Sequence, residues 1–432
     1  MKTLYKNASV INFVDDKLNV IKNGFLAVSD DIITYVGNEE PKGEFDCVKD
    51  MTGKIIMPGI YNCHTHSPMT LLRGVGSDLP LDKWLFGSVF PIEDKLTADD
   101  IEAGTYLALM EMAMSGTVSF SDMYFEPERT CEAVGKSGLR ANICRPVQCF
   151  DPTENPVDSY RIKQSMELFN NYNNTFDGRI LIDFCIHAEY TCDEKTTRYY
   201  SELFNEKNGN LHIHLSETVK EHAECIAKYG RTPTEWFESL GAFNSSAFAA
   251  HCVALSDSDM DILKARGVSI VHNPTSNMKL GSGFAPVEKF LQKGINVTIG
   301  TDGTASNNNL DMLEEMHLAS VIHNGYMADA TVMNAEKVIR MATVNGAKLQ
   351  RREKCGNLEA GFKADFVVLS CDAPNMFPCL DEAALVVYSA GRSDVYMTVV
   401  DGKTVYEKGE FLTIDKERVY YSVKKAVERL YN

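Results

Sequence analysis

Between two β-rich ends, eight short apolar runs alternate with amphipathic segments. The runs are Lys54–Asn62, Thr117–Met123, Arg140–Val147, Arg179–Ile186, Leu211–Leu215, Ala247–Cys252, Val268–His272 and Asn296–Gly300. Near-continuous apolar strands need cover on both faces, which crossover helices give a parallel sheet. The intervening segments carry helix signals. Thr97-Ala98-Asp99-Asp100 opens a helix through Met114 in the manner of a capping box, and Gly116 stops it. Glu126–Lys136, Asp257–Ala265 and Val287–Lys293 end at Ser137-Gly138, Arg266-Gly267 and Gly294. Eight such units predict an α/β fold, a closed (β/α)8 TIM-type barrel. An open doubly wound sheet is the alternative.

The ends read differently. Leu4–Val14, Leu18–Asn23, Gly24–Ser29 and Ile32–Gly37 are alternating or β-branched runs split by Asp, Asn and Gly turns. Asp365–Leu369, Val395–Val400 and Thr404–Tyr406 repeat the pattern, with Asp401-Gly402 as a hairpin turn. Neither end has enough strands to stand alone. Both are expected to join in one small β-sandwich domain, residues 1–55 with 361–432, beside a barrel spanning 56–360.

Charge and cysteine usage narrow the partners. Over 432 residues, 43 Lys and Arg against 60 Asp and Glu leave a net charge of −17. That balance argues against nucleic acid or an anionic membrane as the main partner. No apolar run approaches the ~18 residues of a membrane-spanning helix, and Met1–Asp15 has no signal-peptide core. Twelve scattered cysteines without a C-x-x-C pair read as reduced thiols in a cytoplasmic protein.

The histidines are placed with more order. Seven of the ten fall at or near the ends of expected strands: His64, His66, His187, His212, His214, His251 and His272. In a barrel, catalytic groups gather at the C-terminal ends of strands. Side chains two apart on a strand share a face, so His64 and His66 enter the mouth together. With His214 and Asp302 from other strand ends they form an N/O set suited to one divalent metal, Zn²⁺ or iron. His212 shares the parity of His214 but lies deeper and reads better as a hydrogen-bonded interior histidine. Glu217 can reach the mouth or stand as a solvated loop residue. Asp302, before Gly303, can also shape a turn or cap a helix.

Other chemistries lack core residues. His187-Ala188-Glu189 matches the H-x-E of cytidine-type zinc deaminases, but no P-C-x-x-C accompanies it. Gly402-Lys403-Thr404 resembles the end of a P-loop, yet Met397 stands where the first glycine belongs. There is no G-x-S-x-G and no H-E-x-x-H.

Pro58–His66, Leu215-Ser216-Glu217-Thr218, Ala250-His251-Cys252-Val253, His272–Asn277 and Gly300-Thr301-Asp302-Gly303 together resemble the amidohydrolase superfamily. The likeness extends over nearly the whole chain, including the Gly361–Asp365 return. Leu71-Leu72-Arg73-Gly74, Trp84-Leu85-Phe86, Pro91–Leu96 and Asn307–Leu310 are most similar to the 5′-methylthioadenosine/S-adenosylhomocysteine deaminases within it. The resemblance implies that His64, His66, His214 and Asp302 hold one metal, with Glu217 and His251 flanking its water. It implies that Glu93 bonds ribose hydroxyls, His187 contacts the nucleoside and Trp84 packs against it. Arg145 and Arg161 match positions that grip an amino-acid carboxylate, though either can be a surface arginine and Arg145 a subunit contact. Binuclear relatives use a lysine at the end of the fourth strand; Ile180–Ala188 has none.

The expected reaction is hydrolytic deamination of an adenine nucleoside: hydroxide adds at C6, Asp302 takes its proton, His251 orients it and protonated Glu217 donates to N1. The expected partner is a small-molecule nucleoside, and the chain is expected to form a homo-oligomer. Rival readings are deamination or dechlorination of a free guanine, pterin or triazine, and a metal-free scaffold.

Overall fold

A computed structural model describes residues 1–79, 81–151 and 153–431. Its first strands are β1 (Lys2–Val14), β2 (Lys17–Ser29), β3 (Ile32–Gly37), β4 (Cys47–Asp50) and β5 (Lys54–Pro58). The central strands are β6 (Ile60–Thr65), β7 (Thr117–Met123), β8 (Arg140–Cys144), β9 (Pro146–Val147), β10 (Ile180–Ile182), β11 (Phe184–Ile186), β12 (Asn210–Leu215), β13 (Ser246–His251), β14 (Ser269–His272) and β15 (Val297–Ile299). The last are β16 (Phe366–Ser370), β17 (Val395–Val400), β18 (Lys403–Glu407) and β19 (Glu410–Phe411).

Both ends of the chain build one nine-stranded sheet, ordered β19-β18-β17-β16-β5-β1-β2-β3 with β4 on β1. The seam is β5, parallel to β1 and antiparallel to β16, with Pro58 opposite Phe366 and Lys54 opposite Ser370. One apolar cluster takes side chains from both halves, among them Tyr5, Val10, Leu26, Phe366 and Met397.

The eight runs lie side by side in sequence order as parallel strands, in a four-stranded sheet β6-β7-β8-β10 and a six-stranded sheet β9-β11-β12-β13-β14-β15. Their side chains are buried almost throughout, as continuous apolar runs require. Three runs divide. The first, expected as one strand, parts at Gly59, where a Cβ would come within 2.4 Å of the Val118 side chain. β5 therefore goes to the nine-stranded sheet and β6 to the parallel array. The third and fourth runs break opposite each other, at Arg145 and Asp183, and pair on both sides of the break (β8 with β10, β9 with β11). Asp183 is buried and accepts from Asn142 and Asn210 Nδ2 at 3.1 and 3.2 Å.

The helix Ala98–Met114 forms as expected, with the reciprocal Thr97–Asp100 capping box. Helices Asp257–Arg266 and Pro127–Ser137 end on Gly267 and Gly138 in the left-handed conformation. A further helix, Lys416–Tyr431, lies against Ala98–Met114, joined by an Arg429–Asp100 ion pair. It leaves the β-rich end and packs on Ala98–Met114 and on the Ser67–Leu72 segment. Beyond β15, the Asp302 amide donates to the His64 carbonyl at 2.9 Å, and Thr301 N donates to Asn62 Oδ1 at 3.0 Å. These bonds bring the last run against the first. No helix among the described residues is long and apolar enough to cross a membrane.

Candidate active site

Strand ends deliver the site. β6 ends in His64-Thr65-His66, β12 carries His214, β13 ends at His251, His187 follows β11 and Asp302 follows β15. His251 and Asp302 have φ of 71° and 64°, a region non-glycine residues seldom occupy. Both pay local strain to turn inward just past their strands.

Donor atoms of His64, His66 and His214 lie within 4.8 Å of one another, as do those of His64, His251 and Asp302. Asp302 Oδ1 is 3.4 Å from His64 Nε2 and 3.2 Å from His66 Nε2, and His214 Nε2 is 3.4 Å from His66 Nε2. Each ring is steered from behind. His64 Nδ1 meets His212 Nε2 at 2.8 Å, His66 Nδ1 donates to the Met123 carbonyl at 2.7 Å, and His214 Nδ1 donates to the His187 carbonyl at 2.9 Å. With Nδ1 protonated, each Nε2 offers a lone pair to one small region. His64 Nε2 is buried with no hydrogen-bond partner among the described residues.

Three converging lone pairs and a carboxylate repel one another unless a cation sits among them. The N₃O donor set fits a single divalent ion of the zinc type.

Electrostatics agree. Burial lowers His64 to about 4, against the pull of Asp302, and holds His214 well below the usual imidazole range. At His66 burial lowers and Asp302 raises, leaving the ring at about 9; that proton occupies the nitrogen a metal would take. Burial would raise Asp302, but the neighbouring His64 and His66 hold its carboxyl well below the ordinary range. Its outer oxygen, Oδ2, accepts from Ser276 Oγ at 2.6 Å and Ser306 Oγ at 2.9 Å.

His251 Nε2 lies 3.8 Å from Glu217 Oε2 and 4.0 Å from Asp302 Oδ2. Its Nδ1 lies 2.9 Å from Asn277 Oδ1 and 3.3 Å from Asn273 Nδ2; in the tautomer that donates along the shorter contact, the ring turns an acceptor nitrogen to the site. Glu217 is buried, not a solvated loop residue, and burial raises its carboxyl. Its backbone is fixed by the next residue's capping box: Glu221 Oε2, which closes the box with Thr218, also accepts from Glu217 N at 2.7 Å.

One cavity opens onto these groups and is walled also by Trp84, Glu93, Tyr124, His187 and Tyr190. Tyr124 Oη donates to Glu93 at 2.6 Å. A neighbouring cavity shares Phe90, Glu93, Phe125 and Gln148 with the first and is lined by Arg145 and Arg161. Arg145 is buried, not a surface arginine. It donates to Gln164 Oε1 at 2.8 Å and to the Pro146 carbonyl, stacks over Phe125, and pairs with no carboxylate among the described residues. Arg161 lies over Tyr160 at the same cavity. The residues expected from sequence line one of two adjoining cavities, except His64, which is fully buried beside the first.

Several positioning residues escaped the sequence reading: Tyr124, Ser276, Asn277 and Ser306. Tyr124 carries a usable signal, because it directly follows the end of β7, where site residues collect. His212 is the interior histidine its depth suggested.

Parallel strands under helices, with three imidazoles and a carboxylate converging at their C-terminal ends, define an α/β enzyme of the mononuclear-metal class. The chain belongs to the amidohydrolase family, whose sequence profile matches residues 55–405. A 5-methylthioadenosine/S-adenosylhomocysteine deaminase of Acetivibrio thermocellus is 44% identical over the full length of both chains. A 5′-deoxyadenosine deaminase of Methanosarcina barkeri is 41% identical over 99% of this chain and 98% of its own. Among solved structures, an adenosine deaminase of Xanthomonas campestris with bound zinc superposes with a TM-score of 0.93. It is 30% identical and covers 99% of this chain and 98% of its own.

Proposed function

We propose that this chain deaminates 5′-substituted adenine nucleosides by hydrolysis, converting the 6-amino group to a 6-oxo group and releasing ammonia. The observation that carries the reading is the continuity of the two cavities: a metal-type cluster in the first, and a buried, carboxylate-free Arg145 in the second. A free heterocycle would leave the second cavity without use. Adenosine-type deaminases among the relatives support the choice of substrate.

A divalent ion, read as Zn²⁺ with iron the alternative, would be held by His64, His66, His214 and Asp302 and would supply Lewis-acid activation of water. The side chains do the rest. His251 Nε2, an acceptor facing the site, orients the attacking water toward C6, and ionised Asp302 takes its proton. Glu217, whose buried carboxyl favours the protonated form, donates to N1 so that charge does not build on the ring. Asp302 passes the proton it took to N6, the C6–N6 bond breaks as ammonia leaves, and the hydroxyl proton at C6 returns to Glu217, leaving a 6-oxo ring protonated at N1. Trp84 packs on the nucleoside, His187 contacts it, Glu93 accepts from ribose hydroxyls, and Arg145 with Arg161 meets a carboxylate at the end of a 5′ substituent.

The same reading takes the eight parallel strands as a closed (β/α)8 barrel, supported by the Asp302–His64 backbone bond between first and last runs. The nine-stranded sheet, whose two halves share one apolar cluster, is read as the small β-sandwich. The division expected at 1–55 and 361–432 around 56–360 is moved at its first boundary to Gly59, because β5 pairs through Pro58 with β16. Free cysteines support a reducing, cytoplasmic setting.

Ammonia release measured on 5′-methylthioadenosine, S-adenosylhomocysteine, 5′-deoxyadenosine, adenosine, guanine and cytosine tests the proposal. Turnover of the nucleosides is expected; activity confined to the free bases overturns it.

A further inference from the structure

We infer that the final turn of the helix Lys416–Tyr431 is a positioning element for the nucleoside-holding wall, acting through Leu430 and Tyr431. The inference rests on the assignment of Trp84 and Glu93 to substrate binding. The wall comprises the short 3₁₀ segment Ser67–Leu72 and one continuous helix of three joined segments, Leu81–Trp84, Leu85–Val89 and Phe90–Glu93, the middle one π-wound. A six-residue 3₁₀ segment and a single short helix interrupted by a π-segment are marginal by themselves, because helices below about 12–15 residues do not offset their nucleation cost in water. Their order must come from what they pack against.

That support is a distinct apolar cluster. From the wall it takes Met69, Leu71, Leu72, Trp84, Leu85 and Val89; Ile101, Tyr124 and Ala305 close it from the side of the parallel array, and Ala426 and Leu430 from the far end of the sequence. Leu430 is 6% exposed and Trp84 likewise 6%. Tyr431 Oη donates to the Leu71 carbonyl at 2.9 Å, a group that the short Ser67–Leu72 turn leaves without a helical partner. Arg429 pairs with Asp100, the residue that also closes the capping box of Ala98–Met114. This last turn is therefore fastened to a rigid helix on one side and to the wall on the other. None of its side chains lines the cavity that holds Trp84 and Glu93.

The test is a Leu430→Ala/Tyr431→Phe double variant of the full chain, read in two ways. On a nucleoside substrate, KM is expected to rise about five- to tenfold while kcat and bound metal stay within twofold of the parent. In acrylamide quenching, which needs no substrate, Trp84 emission is expected to become more accessible. The other tryptophan, Trp236, is fully buried in the main core and is the internal reference. Leu430→Met with Tyr431 retained should restore both values. A general loss of folding would lower kcat through fewer active molecules and leave KM unchanged, which overturns the inference. Unchanged quenching and unchanged KM also overturn it. If no nucleoside is turned over but quenching rises, the positioning of the wall stands and the substrate assignment falls.

Discussion

His212 Nε2 stands 2.8 Å behind His64 Nδ1, in the buried interior beneath the site. For His64 to present a lone pair at Nε2, its proton must sit on Nδ1, and His212 supplies the acceptor that keeps it there. His212→Ala should therefore weaken metal binding by about 10- to 100-fold, measured by competition with a chelator. His212→Gln, which can place an amide oxygen near the same point, should recover part of the loss. Unchanged affinity in the alanine variant would remove His212 from the site's support.

Glu217→Gln keeps the shape and the backbone cap but cannot give up a proton in the same way. Turnover should fall by about 10²- to 10⁴-fold, with metal content unchanged by elemental analysis. Near-parental turnover would mean that N1 is protonated by another group.

The pH dependence of binding should follow Glu93. Burial raises its carboxyl to about 7, with the Tyr124 hydroxyl pulling the other way by favouring the charged form. Below that value the group is protonated; above it both oxygens accept. Ribose hydroxyls are donors to it, so KM should fall as pH rises through about 7. Tyr124→Phe removes the hydroxyl that stabilises the carboxylate, so the transition should move to higher pH. Glu93→Gln should give a high KM that is flat with pH; a parental profile in that variant would assign the transition elsewhere.

Arg145→Met separates substrates. Loss of one charge-assisted hydrogen bond should reduce kcat/KM for S-adenosylhomocysteine by about 10- to 100-fold. For 5′-deoxyadenosine, which carries no carboxylate, it should stay within about twofold on the same grounds. Equal losses on both would show that Arg145 supports the fold between β8 and β9 and does not read the substrate.

Much of this site was legible because parallel strands impose simple rules. Parity put His64 and His66 on one face, and strand ends singled out His214, His251 and Asp302 without any knowledge of their partners. What sequence could not show was set by contacts between distant segments. Gly59 divides its run because of Val118, a residue on another strand. The Tyr124–Glu93 bond spans the wall and the end of β7, and the serines holding Asp302 come from the short helix Pro274–Lys279 and from the loop after β15. The helix Lys416–Tyr431 follows a β-rich segment and so looked like part of it. Its amphipathic face instead answers to Leu71 and Asp100, more than three hundred residues earlier. Arg145 was left open between surface, interface and substrate because an isolated arginine carries no periodic signal; its burial without a carboxylate removes the surface reading.

The seam at β5 has a consequence for how the protein is made. On a ribosome β5 emerges early and can pair with β1, but its other neighbour, β16, follows about 300 residues later. At ~5–20 residues per second that is a delay of roughly 15 to 60 s. Throughout it, β5 offers an unsatisfied backbone edge to any passing extended chain. Newborn molecules are thus most open to wrong pairing while the metal-site strands are still being synthesised, and a chaperone that shields residues 54–58 would raise the yield of active enzyme.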